Sequence, residues 1–215
     1  MAINLNPQTL ALLPLSSLGP VVELDFKIDE SLFQSEVKEL NSFWRSYNPR
    51  KNIKRYGLSL TSLDGNDSGI PDLDSIKEFN KENGTNYIES DFKVPTKSYH
   101  KISALSSALH YFKEDLGRSH LIRLDQGGHF PPHRDAYIEP SCFRILIPCT
   151  NCEKDQFVFL LENKRVELTP WRAYYIDTRL EHSVFSFVDN SVQVVLNVML
   201  SPETVAKALN KVKIK

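Results

Sequence analysis

Residues 127–148 read GGHFPPHRDAYIEPSCFRILIP, and the reading of the whole chain turns on them. They contain His-x-Asp (His133 and Asp135), and a further histidine, His182, returns much later in Glu-His-Ser-Val at 181–184. Two histidines and one carboxylate in a short-then-long spacing are what a facial metal triad requires. The close pair comes from one turn after a strand, and the third ligand from a distant strand of the same barrel. A hard carboxylate with two borderline imidazoles suits Fe(II) and leaves the opposite face for substrate and oxygen chemistry. The context agrees. HLIRL (120–124) and a Gly-Gly turn precede the pair, FRILIPC (143–149) follows it, and AYYID (173–177) precedes His182.

Competing readings of the same residues fail. His133-Arg134-Asp135 also matches a protein-kinase catalytic loop, but the Gly-rich phosphate loop, strand lysine and downstream Asn of a kinase are missing. His129 and His133 are spaced like a helix-borne zinc pair, but Pro131 and Pro132 between them forbid that helix. His129 is therefore set aside as a ligand. His100, His110 and His120 read as loop or helix-face residues.

Composition limits the possibilities. With 215 residues, 41% hydrophobic and 25% charged, the chain is expected to be one soluble globular domain. A core of that size buries roughly 70% of the unfolded surface and needs neither disulfide nor structural metal. A net charge of −1 and a pI near 6.6 give no footprint for nucleic acid. Lys207, Lys211, Lys213 and Lys215 read as a solvated helix face. Three cysteines (Cys142, Cys149 and Cys152), with no secretory signal, point to a reducing compartment, the cytoplasm by default. Cys149 and Cys152 lack the second ligand pair of a zinc site. The opening MAINLNPQTLALLPLSSLGP has no basic segment, and Pro14 and Pro20 interrupt its apolar run, so neither a signal peptide nor a membrane span is expected.

Periodicity divides the chain. A strand over Val21–Phe26 is followed by a helix over about 30–45, capped by Asp29. A strand over Tyr56–Leu63 ends at Asp64-Gly65, and a helix over Asp74–Asn83 ends at Gly84. Ile102, Leu105, Leu109, Phe112 and Leu116 mark one more helix, stopped by Gly117. From Ser119 the pattern changes to short strands without crossover helices, with Glu162-Asn163-Lys164 as a hairpin turn. Ser201-Pro202-Glu203 then starts a last helix. The expected architecture is a helical and strand front (1–117), a double-stranded β-helix or cupin-like jelly roll (118–200), and a C-terminal helix (201–215).

Arg144 sits inside the apolar strand FRILIPC. A buried guanidinium needs an anion, either an internal carboxylate or that of a bound co-substrate, whose oxygens match its planar fork.

Residues 118–200 resemble the aspartyl/asparaginyl β-hydroxylase-like branch of the Fe(II)/2-oxoglutarate-dependent oxygenases. The matching features are Arg-Leu-x-x-Gly-Gly-His-x-x-x-His-Arg-Asp (123–135), Arg-x-x-x-Pro (144–148), and Tyr175 and Asp177 ahead of His182-Ser183-Val184. The resemblance implies a double-stranded β-helix, with His133, Asp135 and His182 holding iron and Arg144 contacting 2-oxoglutarate. It also implies O2-dependent hydroxylation of an unactivated C–H, with an amino acid, free or in a peptide, as the substrate. Two positions depart from the family. Its usual arginine after the distal histidine is Val192 here, with Gln193 beside it and Asn197 further along. Its histidine two positions after the strand arginine is Leu146. The pocket is either rebuilt around Arg144, with Gln193 as a further co-substrate contact, or does not take 2-oxoglutarate. Arg55, on the turn into YGLSL, is a candidate grip for a substrate carboxylate. Two other classes stay open: a cupin-like metal enzyme without 2-oxoglutarate, and a non-catalytic binding module on the same barrel.

Overall fold

Sequence neighbours Leu121 and Ile122, Ile145 and Leu146, and Val194 and Val195 are all buried, yet each pair divides between two separate apolar clusters. Successive side chains of a strand point to opposite faces, so a strand reads as continuously apolar only where both its faces are covered. The covers are a second sheet on one side and helices on the other. The structure, a computed structural model, describes residues 7–135 and 141–213. The first six residues of the N-terminal arm, 136–140 within the ligand-bearing stretch, and 214–215 with Lys215 lie outside the described residues.

In chain order the strands are β1 (Val21–Leu24), β2 (Arg45–Ser46), β3 (Arg55–Ser59), β4 (Thr61–Ser62), β5 (Val94–Pro95), β6 (His120–Leu124) and β7 (His129–His133). They continue with β8 (Cys142–Pro148), β9 (Phe157–Leu161), β10 (Lys164–Val166), β11 (Ala173–Ile176), β12 (His182–Ser186) and β13 (Ser191–Met199). The helices are α1 (Pro7–Ser16), α2 (Glu30–Glu39), α3 (Ile76–Asn83), α4 (Lys97–Lys101), α5 (Ser106–Leu109) and α6 (Pro202–Leu209). A seven-stranded sheet runs β1-β11-β8-β13-β6-β3-β2 and a four-stranded sheet runs β10-β9-β12-β7. All their pairings are antiparallel. From β6 to β13 the chain changes sheet at every step except the β9–β10 hairpin. That winding is a double-stranded β-helix, a jelly roll.

Local chemistry explains the element ends. Asp29 caps α2 by accepting from Leu32 N at 3.0 Å. Gly84 closes α3 in the left-handed region at φ 66°. Glu162 and Asn163 take positive φ (48° and 59°), the conformation a tight β-hairpin demands. Ser201 caps α6, whose first residue is Pro202.

Three expectations are corrected. The helix read over 30–45 stops at Glu39, and Arg45–Ser46 instead pairs as an edge strand on β3. The helix read through Ile102–Leu116 is a chain of single turns: a 3-10 turn at 103–105, α5 and another 3-10 turn at 113–115. The Glu36 carboxylate accepts the Ser103 and Ala104 amides at 3.0 Å each, satisfying donors that a continuous helix would use internally. The C-terminal lysines are also not free on a solvated face. Lys207 meets Asp115 at 2.5 Å, Lys213 meets Glu23 at 2.9 Å, and Lys211 lies over the Phe26 and Tyr111 rings. Among the described residues no helix is long and apolar enough to cross a membrane.

Candidate metal centre

The triad is assembled by two neighbouring strands of the smaller sheet. His133 ends β7 and His182 begins β12, and the two are Cα partners in the ladder. Asp135 follows two residues later, its amide donating to Thr178 O at 2.9 Å, so the turn before β12 holds the turn after β7. One ligand atom from each of His133, Asp135 and His182 lies within 4.8 Å of the others.

Both imidazoles are oriented by the same device. His133 Nδ1 lies 2.7 Å from Pro131 O, and His182 Nδ1 lies 3.0 Å from Leu180 O. A carbonyl oxygen only accepts, so each Nδ1 carries a proton, and the neutral form of each ring presents its lone pair at Nε2. Those two Nε2 atoms each stand 3.7 Å from an Asp135 oxygen, one on Oδ1 and the other on Oδ2. Two imidazoles and a carboxylate turned toward one point, each imidazole fixed from behind by a carbonyl, are the donor set and outer support that a divalent metal requires. The residues fit Fe(II).

The charge pattern keeps that set ready. Burial alone would raise the Asp135 carboxyl, but its charged neighbours, Arg144 foremost, hold it below its usual range. Burial lowers His182 despite the opposing pull of Asp135, which favours its neutral form. Arg144 pairs through Nη1 with Asp135, and its Nε donates to Asn197 Oδ1 at 2.9 Å. Asn197 in turn donates to Arg118 O at 2.6 Å, and Arg118 is bidentate on Glu89 at 2.9 Å for both bonds. The charges around the site therefore form one connected network. Of the two partners considered for Arg144, the structure supplies the internal carboxylate, and that carboxylate is a triad member.

A cavity of about 150 Å³ opens between the sheets at the triad. Its walls include Leu146, Phe159 and Val184, with Arg144, His120 and Gln193 as polar groups. Val192 faces the other way and packs with the outer, helix-covered core, so of the two neighbours it is Gln193 that faces the cavity. Gln193 is 3% exposed, and its Oε1 has no hydrogen-bond partner among the described residues.

His120 was misplaced by the sequence reading. It lies in β6, is buried and lines the cavity, its Nδ1 without a hydrogen-bond partner among the described residues and its ring 5.3 Å from that of Tyr47. Burial, helped by the charges of Arg118 and Arg144, pushes its pKa well below the usual histidine value. The signal was available, because His120 shares the alternation of Ile122 and Leu124 and so faces the same side. Tyr47 and Arg118 also line the cavity and carried no sequence motif. His129 turns its ring onto Phe185, 5.9 Å away and nearly parallel, and its Nδ1 meets Gly127 O at 3.0 Å. Arg55 is not on a turn. It is the first residue of β3, is buried, and stands outside the cavity lining.

No family model matches the chain, and no curated protein matches it in sequence. Solved structures do match. A prolyl hydroxylase from Trichoplax adhaerens, in complex with a hypoxia inducible factor oxygen degradation domain peptide fragment, aligns over 94% of this chain and 93% of that one, with a TM-score of 0.53 and 12% identity. A Pseudomonas putida prolyl-4-hydroxylase aligns over 89% and 98%, with a TM-score of 0.49 and 10% identity. KdgF from Halomonas sp. covers 42% of this chain and 74% of its own, with a TM-score of 0.32 and 18% identity. At such identities the likeness speaks for fold: this chain shares the architecture of the Trichoplax prolyl hydroxylase along nearly its whole length.

Proposed function

We propose that this protein is an Fe(II)/2-oxoglutarate-dependent dioxygenase that hydroxylates an unactivated C–H of an amino acid, free or within a peptide. The observation that carries the reading is the triad itself: two preset Nε2 lone pairs and an ionised carboxylate within 4.8 Å, at the mouth of an inter-sheet cavity. The fold shared with a prolyl hydroxylase in complex with a peptide supports it.

On this reading His133, Asp135 and His182 hold the metal. Bound Fe(II), with 2-oxoglutarate and O2, supplies the oxidising chemistry that leaves succinate and a hydroxylated product. The protein's part is placement and electrostatics. Arg144 keeps Asp135 charged and aimed, and its remaining nitrogen, Nη2, is available to a co-substrate carboxylate. Gln193 and neutral His120 offer further hydrogen bonds from the cavity wall. Leu146, Phe159 and Val184 exclude water from the chamber. We place this chemistry in the cytoplasm, in keeping with three free thiols.

A second reading, a metal enzyme that does not use 2-oxoglutarate, draws on one observation. Both arginines lining the cavity, Arg118 and Arg144, are already ion-paired. One experiment separates the two. Fe(II)-loaded protein should convert 2-oxoglutarate to succinate in air and not under anaerobic conditions. His133→Ala and Asp135→Ala should each abolish both turnover and Mn(II) binding, whereas His129→Ala should leave metal content unchanged. Stoichiometric Mn(II) binding without oxygen-dependent succinate would establish the second reading.

A further inference from the structure

Arg118, Arg144 and Arg179 are drawn into the protein, and each has a carboxylate: Glu89, Asp135 and Asp177. Arg55 has none among the described residues. It is 5% exposed, and its buried Nε meets no hydrogen-bond acceptor. What holds it is aromatic. The guanidinium carbon stands 4.5 Å from the Phe130 ring centroid and 5.8 Å from that of Tyr47. A ring face compensates a desolvated cation far less than a carboxylate does. The strand leaves it no retreat, because Arg55 pairs with Leu124 across the β3–β6 ladder on the face turned to the sandwich interior.

The guanidinium lines a groove of about 410 Å³ that adjoins the metal-site cavity, and Tyr47, Arg118, Phe130 and His133 line both spaces. The groove's carboxylates, Asp74 and Glu89, are taken by Arg50 and Arg118. At its edge exposed Lys77 adds positive charge, beside Lys51, which lies 3.9 Å from Glu78. The groove is therefore cationic, aromatic-walled and open toward a triad histidine.

We infer that Arg55 anchors a carboxylate of the substrate, and that the groove carries a carboxylate-bearing molecule to the metal past His133. The two oxygens of a carboxylate match the guanidinium fork, and the rings of Phe130 and Tyr47 receive the apolar atoms beside it. That the occupant is a substrate rests on the oxygenase reading above; the anion site itself does not.

The test uses the full-length chain, with and without Mn(II), and follows melting temperature while titrating benzoate against its neutral isostere benzamide. Benzoate should raise the wild-type Tm in a saturable way and benzamide should not. Arg55→Met should weaken benzoate at least tenfold and should melt at or above the wild type, since an uncompensated buried charge has been removed. Arg55→Lys should keep part of the benzoate shift, and Mn(II) affinity should be unchanged in both variants. Two further ligands identify the source of the carboxylate. Alanine carries only an α-carboxylate, and aspartate blocked as its N-acetyl α-amide carries only a side-chain one. An Arg55-dependent shift with the first assigns a free amino acid, and with the second an acidic residue in a peptide. Absence of a wild-type benzoate shift, or an equal shift in Arg55→Met, would overturn the proposal. So would an Arg55→Met variant melting several degrees lower, because the arginine would then serve the fold through Phe130. Loss of Mn(II) binding in the wild type would instead sink the metal reading and leave the carboxylate result standing.

Discussion

The two faces of the seven-stranded sheet use the same strands for opposite purposes. The outer face, under the helices, is apolar almost throughout: Leu121, Phe143, Ile145, Tyr175, Val194 and Leu196. The inner face alternates Ile122, Leu146 and Val195 with Arg55, His120, Arg144, Gln193 and Asn197. Adjacent residues therefore differ in task. Phe143 is outer core, and Arg144 one position on belongs to the metal site. A strand buried on both sides can be stabilised by one set of alternate positions while the other set carries polar groups that stability alone would not select.

The comparison breaks down if substitutions on one face are felt on the other. Phe143→Ala should destabilise by about 3–5 kcal/mol in a denaturant titration, the usual effect of emptying a large buried ring. Its Mn(II) affinity in the folded protein should match the wild type, and a tenfold loss would show that the faces are coupled.

Arg144→Ala should cost less, about 1.5–3 kcal/mol for a charge-assisted bond removed from a partly buried carboxylate. That loss belongs to the metal-free protein. Once Mn(II) neutralises Asp135, the penalty should shrink, and by linkage the variant should bind Mn(II) more tightly. Equal destabilisation with and without Mn(II) would show that the Arg144–Asn197 bond matters more than the Asp135 pair.

The smallest effect concerns His120 and acid. In the folded protein burial holds His120 neutral well below its ordinary pKa of 6.5, whereas the unfolded chain takes up a proton near that value. The unfolded state thus binds more protons below about pH 6.5, and stability should fall there by up to about 1.4 kcal/mol per pH unit. His120→Phe should remove that contribution. Unfolding free energies at pH 7.5 and about 5.5 would show it as a smaller difference in the variant, and an identical difference would place the acid sensitivity elsewhere.

What could be read from the sequence followed from how strongly each segment announces its period. The strands of the larger sheet were legible because residues such as Ile145–Ile147 and Val194–Leu196 are buried on both sides and β-branched or apolar without a break. Strand β7 was not, since HFPPH contains two prolines and reads as a turn. It is tolerated as a strand because it lies at the sheet edge and because its ladder with β12 shifts register opposite the two prolines. The segment 102–116 misled in the other direction. Its apolar residues do recur at helical spacing and are buried, but Ser103, Ser106 and Ser107 and the Glu36 carboxylate divide it into single turns. The spacing of His133, Asp135 and His182 was legible because a metal demands particular residue types. The surroundings of Arg55 were not, because Phe130 reaches it from a distant strand and Tyr47 across the β2–β3 pairing, where a helix over 30–45 was expected.

The prolines of β7 have one more consequence. The strand that ends in His133 is the outermost of its sheet among the described residues, and Pro131 and Pro132 are exposed there. An open strand margin invites a strand from another molecule to dock along it, the first step toward aggregation. Two successive residues without an N–H cannot complete such a ladder. The strand margin beside His133 can thus stay uncovered in a crowded solution without becoming an adhesive seam between copies of the chain.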